Sequence, residues 1–342
     1  MKMSFVVALA LGLASVAAIA ASPRVGGDYV YTGEIDAGGP GFWDYAALDA
    51  ERGRLYVTHV DKVSVLDTST RQLVGSVGPL SKAHGVAIVA ALQKGYASSG
   101  GDGLLKVFDL GDLHIVKDIP VGDDADGVIF DPHSDAVIVM TGDSKRVAIV
   151  DPHTDAVVRS VDLPANPEFG AADGRGKLYV NLVTTDALAK IDIATGHIDA
   201  VWPLTGCRAP HGLVYDPTRD RLFSTCFNKV LVVVDPASGA LVATLPIGAF
   251  SDDAAVDTKR HRVFSPNGDG TLTVIREDAN DRYAVERTIP TFLGGRSMAL
   301  DPRTGTLYVT HGDTHVKGER TNALELRFGW DNALIATFVP ND

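Results

Sequence analysis

The chain has 342 residues, a formal net charge of −12 and 35 glycines, and 45% of its residues are hydrophobic. This negative balance, with no basic stripe, argues against duplex nucleic acid and anionic membrane surfaces as partners. The combination of apolar residues and many glycines is typical of an all-β fold with tight turns.

Residues 1–20 predict a secretory signal peptide. Lys2 supplies a positive start, the segment from Phe5 to Ala20 is apolar and alanine-rich, and Ala18-Ile19-Ala20 offers a small-residue cleavage site. A membrane anchor needs roughly 20 strongly apolar residues, and this run is shorter and weaker. We therefore expect an exported protein, periplasmic or secreted, with no membrane attachment after cleavage.

After the signal, the chain repeats itself about every 42 residues. Each repeat opens with an apolar run that ends at an anchor, which is aspartate in all repeats but one. The anchors are Asp49, Val89, Asp131, Asp173, Asp216, Asp257 and Asp301. A period of about 40–45 residues with four short apolar runs is typical of a β-propeller blade. We predict one seven-bladed β-propeller over residues 28–342, with four-stranded antiparallel blades.

The seventh repeat is irregular, and the N-terminal segment completes it. Residues 29–36 match the pattern of the fourth run of a blade and stand at the matching distance before the first repeat. We predict that this segment is the outer strand of blade seven. Such a closure would remove the free sheet edges of an open array.

Five positions before each anchor stands an ionisable side chain. The set is Asp44, His84, Asp126, Glu168, His211, Asp252 and Arg296. Because the first strand of every propeller blade lines the central channel, these seven residues should form one ring at one mouth of that channel. We expect all seven to contribute to a binding site for a small ligand, a metal ion or both.

Around the predicted circle each histidine has a carboxylate on either side, and Arg296 lies between Asp252 and Asp44. Imidazole together with carboxylates suits a divalent transition metal, whose identity the pattern leaves open. The candidate metal ligands are His84, His211, Glu168, Asp252 and Asp126.

The same ring permits an enzymatic interpretation, a metal-assisted hydrolase, lactonase or lyase. His211 and Glu168 would then provide general acid–base catalysis, and Arg296 would stabilise a developing oxyanion. A third interpretation is a protein-interaction scaffold whose polar ring only hydrates the channel mouth. In each case we expect a monomer.

Two further features concern the loops. Cys207 and Cys226 are the two cysteines of the chain, and in an oxidising compartment an even count favours a disulfide, with a thiolate metal site as the alternative. The insertion in the seventh repeat carries His311 and His315, which we interpret as a solvated loop or, alternatively, as a lid over the ring.

Three second-strand runs, Tyr56-Val57-Thr58-His59, Tyr179-Val180-Asn181-Leu182 and Tyr308-Val309-Thr310-His311, resemble the YVTN repeat. Over residues 28–340 the chain resembles the YncE-like, YVTN-repeat family of bacterial seven-bladed propellers. The resemblance implies the fold and export, and no agreed reaction. His211 departs from the smaller residue expected there and makes the ring more metal-like. The organisation is more distantly similar to streptogramin lyases and senescence-marker lactonases, from which no residues transfer.

Overall fold

The computed structural model describes residues 29–278, 280–317 and 327–341. The predicted signal peptide lies outside these residues. The described chain is all-β and contains seven four-stranded antiparallel sheets. Its one helical element is a single 3₁₀ turn, Ala90–Leu92. The sequence-based prediction of seven four-stranded blades is therefore confirmed.

Each blade begins with an inner strand at the channel and continues outwards in a meander. The inner strands are β2 (Trp43–Asp49), β6 (Ala83–Val89), β10 (Ala125–Asp131), β14 (Pro167–Ala172), β18 (Pro210–Asp216), β22 (Ala255–Asp257) and β26 (Met298–Leu300). The second strands are β3 (Arg54–His59), β7 (Lys94–Ser99), β11 (Ala136–Thr141), β15 (Lys177–Leu182), β19 (Arg221–Cys226), β23 (Arg262–Asn267) and β27 (Leu307–His311).

The outer half of each blade follows the same order. The third strands are β4 (Lys62–Asp67), β8 (Leu104–Asp109), β12 (Arg146–Asp151), β16 (Ala187–Asp192), β20 (Val230–Val234), β24 (Thr271–Glu277) and β30 (Leu334–Pro340). The fourth strands are β5 (Gln72–Val77), β9 (Ile115–Pro120), β13 (Ala156–Asp162), β17 (Ile198–Pro203), β21 (Leu241–Pro246), β25 (Tyr283–Pro290) and β1 (Tyr29–Asp36).

The hydrophobic core lies between blades. The buried side chains of the described residues form seven clusters, each shared by two neighbouring blades. Second and third strands are rich in Val, Ile, Leu and Tyr and are buried, because both faces of each sheet pack against a neighbour. Fourth strands alternate between exposed and partly buried positions at the rim.

The circle closes through the N-terminal strand, as the sequence predicts. Strand β1 pairs antiparallel with β30, from Tyr29 opposite Pro340 to Asp36 opposite Leu334. Strand β30 in turn pairs with β27. Neighbouring inner strands contact one another around the whole circle, including β26 against β2. The inner strands therefore hold the seven blades around one axis.

Between β27 and β30 the seventh blade carries an additional hairpin. Strands β28 (Thr314–Lys317) and β29 (Arg327–Trp330) pair with each other and with no other sheet of the described chain. They flank the rest of the insertion, which lies outside the described residues.

The turns between first and second strands are built as their aspartates predict. Asp131, for example, accepts hydrogen bonds from the backbone N–H groups of His133 and Ser134, and Asp216 accepts one from Thr218. These bonds satisfy the backbone of the turns. Within the described part of the chain, no helix is long and apolar enough to cross a membrane.

Candidate functional site

The seven predicted residues occupy equivalent places at one mouth of the channel. Five of them are the second residue of an inner strand, in β2, β6, β10, β14 and β18. Asp252 and Arg296 precede the shortened strands β22 and β26. We will call this set, Asp44, His84, Asp126, Glu168, His211, Asp252 and Arg296, the ring. The geometry joins residues from all seven blades.

A β-bulge aims each of the five strand-borne side chains. The pairing of inner and second strands shifts register at this point, for instance between Trp43 and Ala46 and between Pro210 and Leu213. A bulge leaves residues unpaired and redirects their side chains. The repeat pattern of the sequence predicts the ring positions but not these bulges.

Three glycines directly after ring residues give a sequence signal for the bulges. A Cβ on Gly85 would lie 2.6 Å from the carbonyl oxygen of Asp126, and one on Gly212 would lie 2.4 Å from the backbone of Asp253. Gly127 is similarly tight against the side chain of Phe169, at 2.9 Å. Glycine within a strand indicates a bulge or a close backbone approach, and here it permits both.

One half of the ring is closed by internal pairing. We define the closed half as Asp44, His84 and Asp126. His84 Nδ1 lies 2.6 Å from Asp44 Oδ2 and 3.7 Å from Asp126 Oδ1. Burial would lower the pKa of His84, but the hydrogen bond to Asp44 and the charges of both carboxylates outweigh it and raise that pKa. His84 therefore acts as an internal counter-ion.

The orientation of His84 reinforces this role. A Cβ built on Gly100 would lie 3.2 Å from His84 Nε2, so this nitrogen faces the loop after β7. The nitrogen that faces the carboxylates is the one that already donates to Asp44.

The other half is open. We define the open half as Glu168, His211 and Asp252. His211 Nε2 lies 3.8 Å from Glu168 Oε1 and 4.0 Å from Asp252 Oδ1, beyond hydrogen-bonding distance of both. Its Nδ1 lies 2.8 Å from the carbonyl oxygen of Ala209. Because a carbonyl only accepts, Nδ1 carries the proton, and the lone pair of neutral His211 is on Nε2, towards the carboxylates.

His211 is held in the neutral form. Burial lowers its pKa to about 4, and the charge of Arg296 lowers it further, while the Ala209 carbonyl acts in the opposite direction. The imidazole stacks on Phe227, with ring centroids 3.5 Å apart and an angle of 9° between the planes. This contact fixes the plane of the imidazole.

The ring holds an excess of carboxylates. Burial raises the pKa of Glu168 to about 8, with the charges of Asp252 and Asp44 adding to the effect. Burial also raises the pKa of Asp252 to about 6, although Arg296, 3.0 Å away, lowers it. Burial raises the pKa of Asp126 well above its usual range, and the charges of Glu168 and Asp44 raise it further. Glu168, Asp126 and Asp252 thus hold a proton to higher pH than free carboxyl groups do.

Buried oxygens without a hydrogen-bond partner mark the same place. Asp126 Oδ1 and Asp252 Oδ1 are buried in this state, and such atoms are costly unless a proton, water or ion meets them. Each half also brings three potential metal ligands within 4.8 Å of one another. The five predicted metal ligands, together with Asp44, thus divide into two groups.

Two aromatic side chains form the floor of the ring. Tyr45 and Phe169, from opposite sides of the circle, meet with ring centroids 4.6 Å apart. Tyr45 is buried, and its hydroxyl has no hydrogen-bond partner. Tyr45, Phe169 and the apolar residues of the inner strands line a cavity of about 380 Å³ in the channel. The ring therefore lies above an apolar channel, with Tyr45 and Phe169 between the two.

Asp253 is a structural residue that the sequence analysis missed beside Asp252. Its carboxylate accepts hydrogen bonds from the backbone N–H groups of Ala254 and Met298, which links blades six and seven where β22 and β26 are short. Burial raises its pKa to about 7. The doubled Asp252-Asp253 is the only hint of it in the sequence.

The predicted disulfide joins Cys207 and Cys226. Both sulfurs are buried next to the segment that carries Ala209 and His211. The N–H of Phe227 donates to the carbonyl oxygens of Arg208 and Ala209. The disulfide therefore ties the end of β19 to the connector that orients His211.

His311 is neither part of a solvated loop nor part of a lid. It lies in β27, is 2% exposed and stacks on Phe292 at 4.0 Å. Its Nε2 is 3.3 Å from Glu34 Oε1, and burial lowers its pKa to about 4. His315 lies on β28, where the structure describes the backbone alone.

Comparison with known proteins supports the architecture. No protein-family model and no curated protein matches the sequence. Among solved structures, the chain is similar to Kuenenia stuttgartiensis hydrazine synthase, with 17% identity and a TM-score of 0.69 over 78% of this chain and 91% of that one. At this identity the likeness concerns the fold alone, and with the seven sheets it identifies the chain as a seven-bladed β-propeller.

Proposed function

We propose that this propeller binds one divalent transition-metal ion in the open half of the ring, through Glu168, His211 and Asp252. The observation that carries the proposal is the unoccupied Nε2 lone pair of His211. It is directed at two carboxylates that make no hydrogen bond to it, and a backbone carbonyl fixes the tautomer, as is usual for metal-binding histidines.

The distances between the candidate ligand atoms favour the open half over the closed half as the metal site. At metal–ligand bonds of about 2.1 Å, tetrahedral ligand atoms are separated by roughly 3.4 Å. The 3.8 and 4.0 Å separations around His211 Nε2 are slightly wider and need small side-chain movements. The 2.6 Å contact between His84 and Asp44 is a hydrogen bond that a metal would have to break.

Charge balance supports the same assignment. The ring has four carboxylates against Arg296 and, when protonated, His84, so a divalent ion would neutralise the remainder. An imidazole nitrogen with two carboxylates suits zinc, manganese or iron better than calcium or magnesium, which prefer oxygen ligands alone. Three protein ligands also leave coordination positions for water or for a bound molecule.

A metal-assisted hydrolase is the second candidate. Arg296 lies 3.0 Å from the proposed ligand Asp252, close enough to the open coordination positions to stabilise developing negative charge. Turnover of lactones or esters that requires both the metal and Arg296 would support it.

Export and family membership are parts of the same proposal. The Cys207–Cys226 disulfide supports an oxidising compartment such as the periplasm, and the YVTN-like second strands support a place in the YncE-like group.

Metal titration tests the proposal. Purified protein is stripped with EDTA, dialysed and titrated with Zn²⁺ or Mn²⁺ by isothermal titration calorimetry. We expect one ion per chain, with affinity reduced at least about 100-fold by His211→Ala, because a ligand is lost. His84→Gln should retain the site, and His133→Ala controls for exposed imidazoles. Absence of stoichiometric binding, or unchanged binding by His211→Ala, would refute the assignment.

A further inference from the structure

The face of the propeller that carries the ring is divided into an apolar arc and a polar arc. Large hydrophobic side chains that are exposed in its loops are Phe42, Val60, Phe250 and Leu293, at 42%, 44%, 59% and 56%. All four belong to blades six, seven and one or to the connectors that enter them. The other exposed large hydrophobic side chains of the described chain lie on the outer strands at the rim.

The opposite arc is polar. The loops of blades two and three on this face carry Lys82, Asp102, Asp123, Asp124, Asp143 and Lys145. Lys82 is paired with Asp124 at 2.7 Å. None of the exposed large hydrophobic residues of the described chain lies there. Scattered exposed hydrophobic residues are ordinary, but their confinement to one arc beside a polar ring is typical of a binding surface.

The apolar arc is in contact with the open half. Phe250 is two residues before Asp252, and its ring lies edge-on to Phe227 with centroids 6.1 Å apart. Phe227 in turn stacks on His211. At the other end of the arc, the Arg296 guanidinium lies over Phe42 at 4.7 Å. The aromatic side chains thus continue directly from the proposed metal ligand His211 and from the single arginine of the ring.

We propose that the open half and the adjoining aromatic side chains bind a small aromatic carboxylate, with its carboxylate on the metal beside Arg296 and its aromatic ring against Phe250 and Phe227. This inference rests on the proposed metal site. The Arg296 guanidinium lies 3.0 Å from the proposed ligand Asp252, so a carboxylate bound to the metal would also lie near this second cation. An exposed phenylalanine edge-on to another provides a surface on which a third ring packs at favourable geometry.

Contact with an aromatic ring of the ligand is what distinguishes this ligand class from simple anions. Acetate offers the same carboxylate as phenylacetate and lacks the ring. A site made of the metal and Arg296 alone would bind the two equally, whereas a site that includes Phe250 would bind phenylacetate about tenfold more tightly.

The experiment compares these two probes on Zn²⁺-loaded protein by calorimetry, with metal content measured separately on every sample. The wild type should prefer phenylacetate about tenfold. Phe250→Ser should lose the preference while keeping its metal and its affinity for acetate. Val158→Ser is the matched control, because Val158 is equally exposed at 59% but lies on the outer strand β13.

The outcomes separate the two proposals. A protein that takes up metal but binds acetate and phenylacetate equally, or whose preference survives Phe250→Ser, overturns the aromatic subsite and leaves the metal site standing. A protein that takes up no metal overturns both. Loss of the preference in Phe250→Ser alone, with Val158→Ser unchanged, supports the inference.

Discussion

The closed and open halves of the ring each contain one histidine and two carboxylates and differ in what their histidines contact. In the closed half, His84 Nδ1 meets a carboxylate at 2.6 Å. In the open half, His211 Nδ1 meets the carbonyl of Ala209 at 2.8 Å. The first contact favours the protonated imidazolium, and the second leaves a neutral imidazole with a free lone pair. One hydrogen-bond partner thus separates an internal ion pair from a candidate ligand site.

The largest expected effect is the difference in stability between two variants, one lacking a carboxylate of the closed half and the other lacking a carboxylate of the open half. In metal-free protein, Asp44→Ala deprives His84 of its partner and removes the 3.6 Å contact to Arg296. We expect a loss of about 3 kcal/mol in the free energy of unfolding, because the buried His84 loses its one close carboxylate partner. The matched variant is Glu168→Ala, whose carboxylate makes no ion pair shorter than 3.8 Å with any residue that the structure describes. It should cost under about 1 kcal/mol, because no buried charge pair is broken.

Urea denaturation in EDTA measures both variants. Equal losses of unfolding free energy in Asp44→Ala and Glu168→Ala would contradict the claim that only the closed half is held by a close ion pair.

Of the two halves of the ring, only the open half should be affected by loss of the disulfide. Replacing both cysteines, Cys207→Ser and Cys226→Ser, should lower the free energy of unfolding by about 3 kcal/mol on the chain-entropy estimate. It should also weaken Zn²⁺ binding, because the connector that holds Ala209 against His211 is released. Calorimetry on the folded double variant measures that affinity. Unchanged Zn²⁺ binding would show that the disulfide does not orient His211.

The smallest expected effect is on the pH dependence of stability, and it tests whether the ring holds an excess of carboxylates. Burial and neighbouring carboxylates raise the pKa of Glu168 to about 8, from the ordinary value of 4.5. The folded state therefore holds a proton that the unfolded state releases, and the stabilisation from this group is complete below pH 4.5 and is lost as pH rises through about 8. Metal-free Glu168→Gln should show a melting temperature that falls less than that of the wild type between pH 5 and pH 9.

Differential scanning fluorimetry across this range, in EDTA, provides the measurement. Parallel curves for the wild type and Glu168→Gln would mean that Glu168 ionises normally in the folded protein.

Much of the architecture could be predicted from the sequence because it is periodic. The aspartate anchors locate the inner strands, and the match of residues 29–36 to a fourth strand locates the closure that pairs β1 with β30. The ring follows from the same register, since equal positions in equal blades face the same axis. These features depend on the spacing of residues along the chain, which the sequence displays directly.

The difference between the halves could not be predicted in this way. In the sequence, His84 and His211 each stand between two carboxylates and look equivalent. What separates them is the carbonyl of Ala209, a residue with a left-handed backbone (φ 47°), and the stacking of Phe227. These arise from the irregular connector and the disulfide of blade five, where the periodic pattern provides no guide.

The closure of the circle has a consequence for how the protein folds. Strand β1 precedes the other strands of the propeller in the chain, and its partner β30 follows them. Joining segments so far apart in the chain carries a large entropic cost and slows folding. An incomplete chain would leave both edge strands without partners, open to pairing with other molecules. Closure of the ring should therefore be delayed until β30 has been synthesised, and a chain cut before β30 should aggregate rather than fold into a smaller ring.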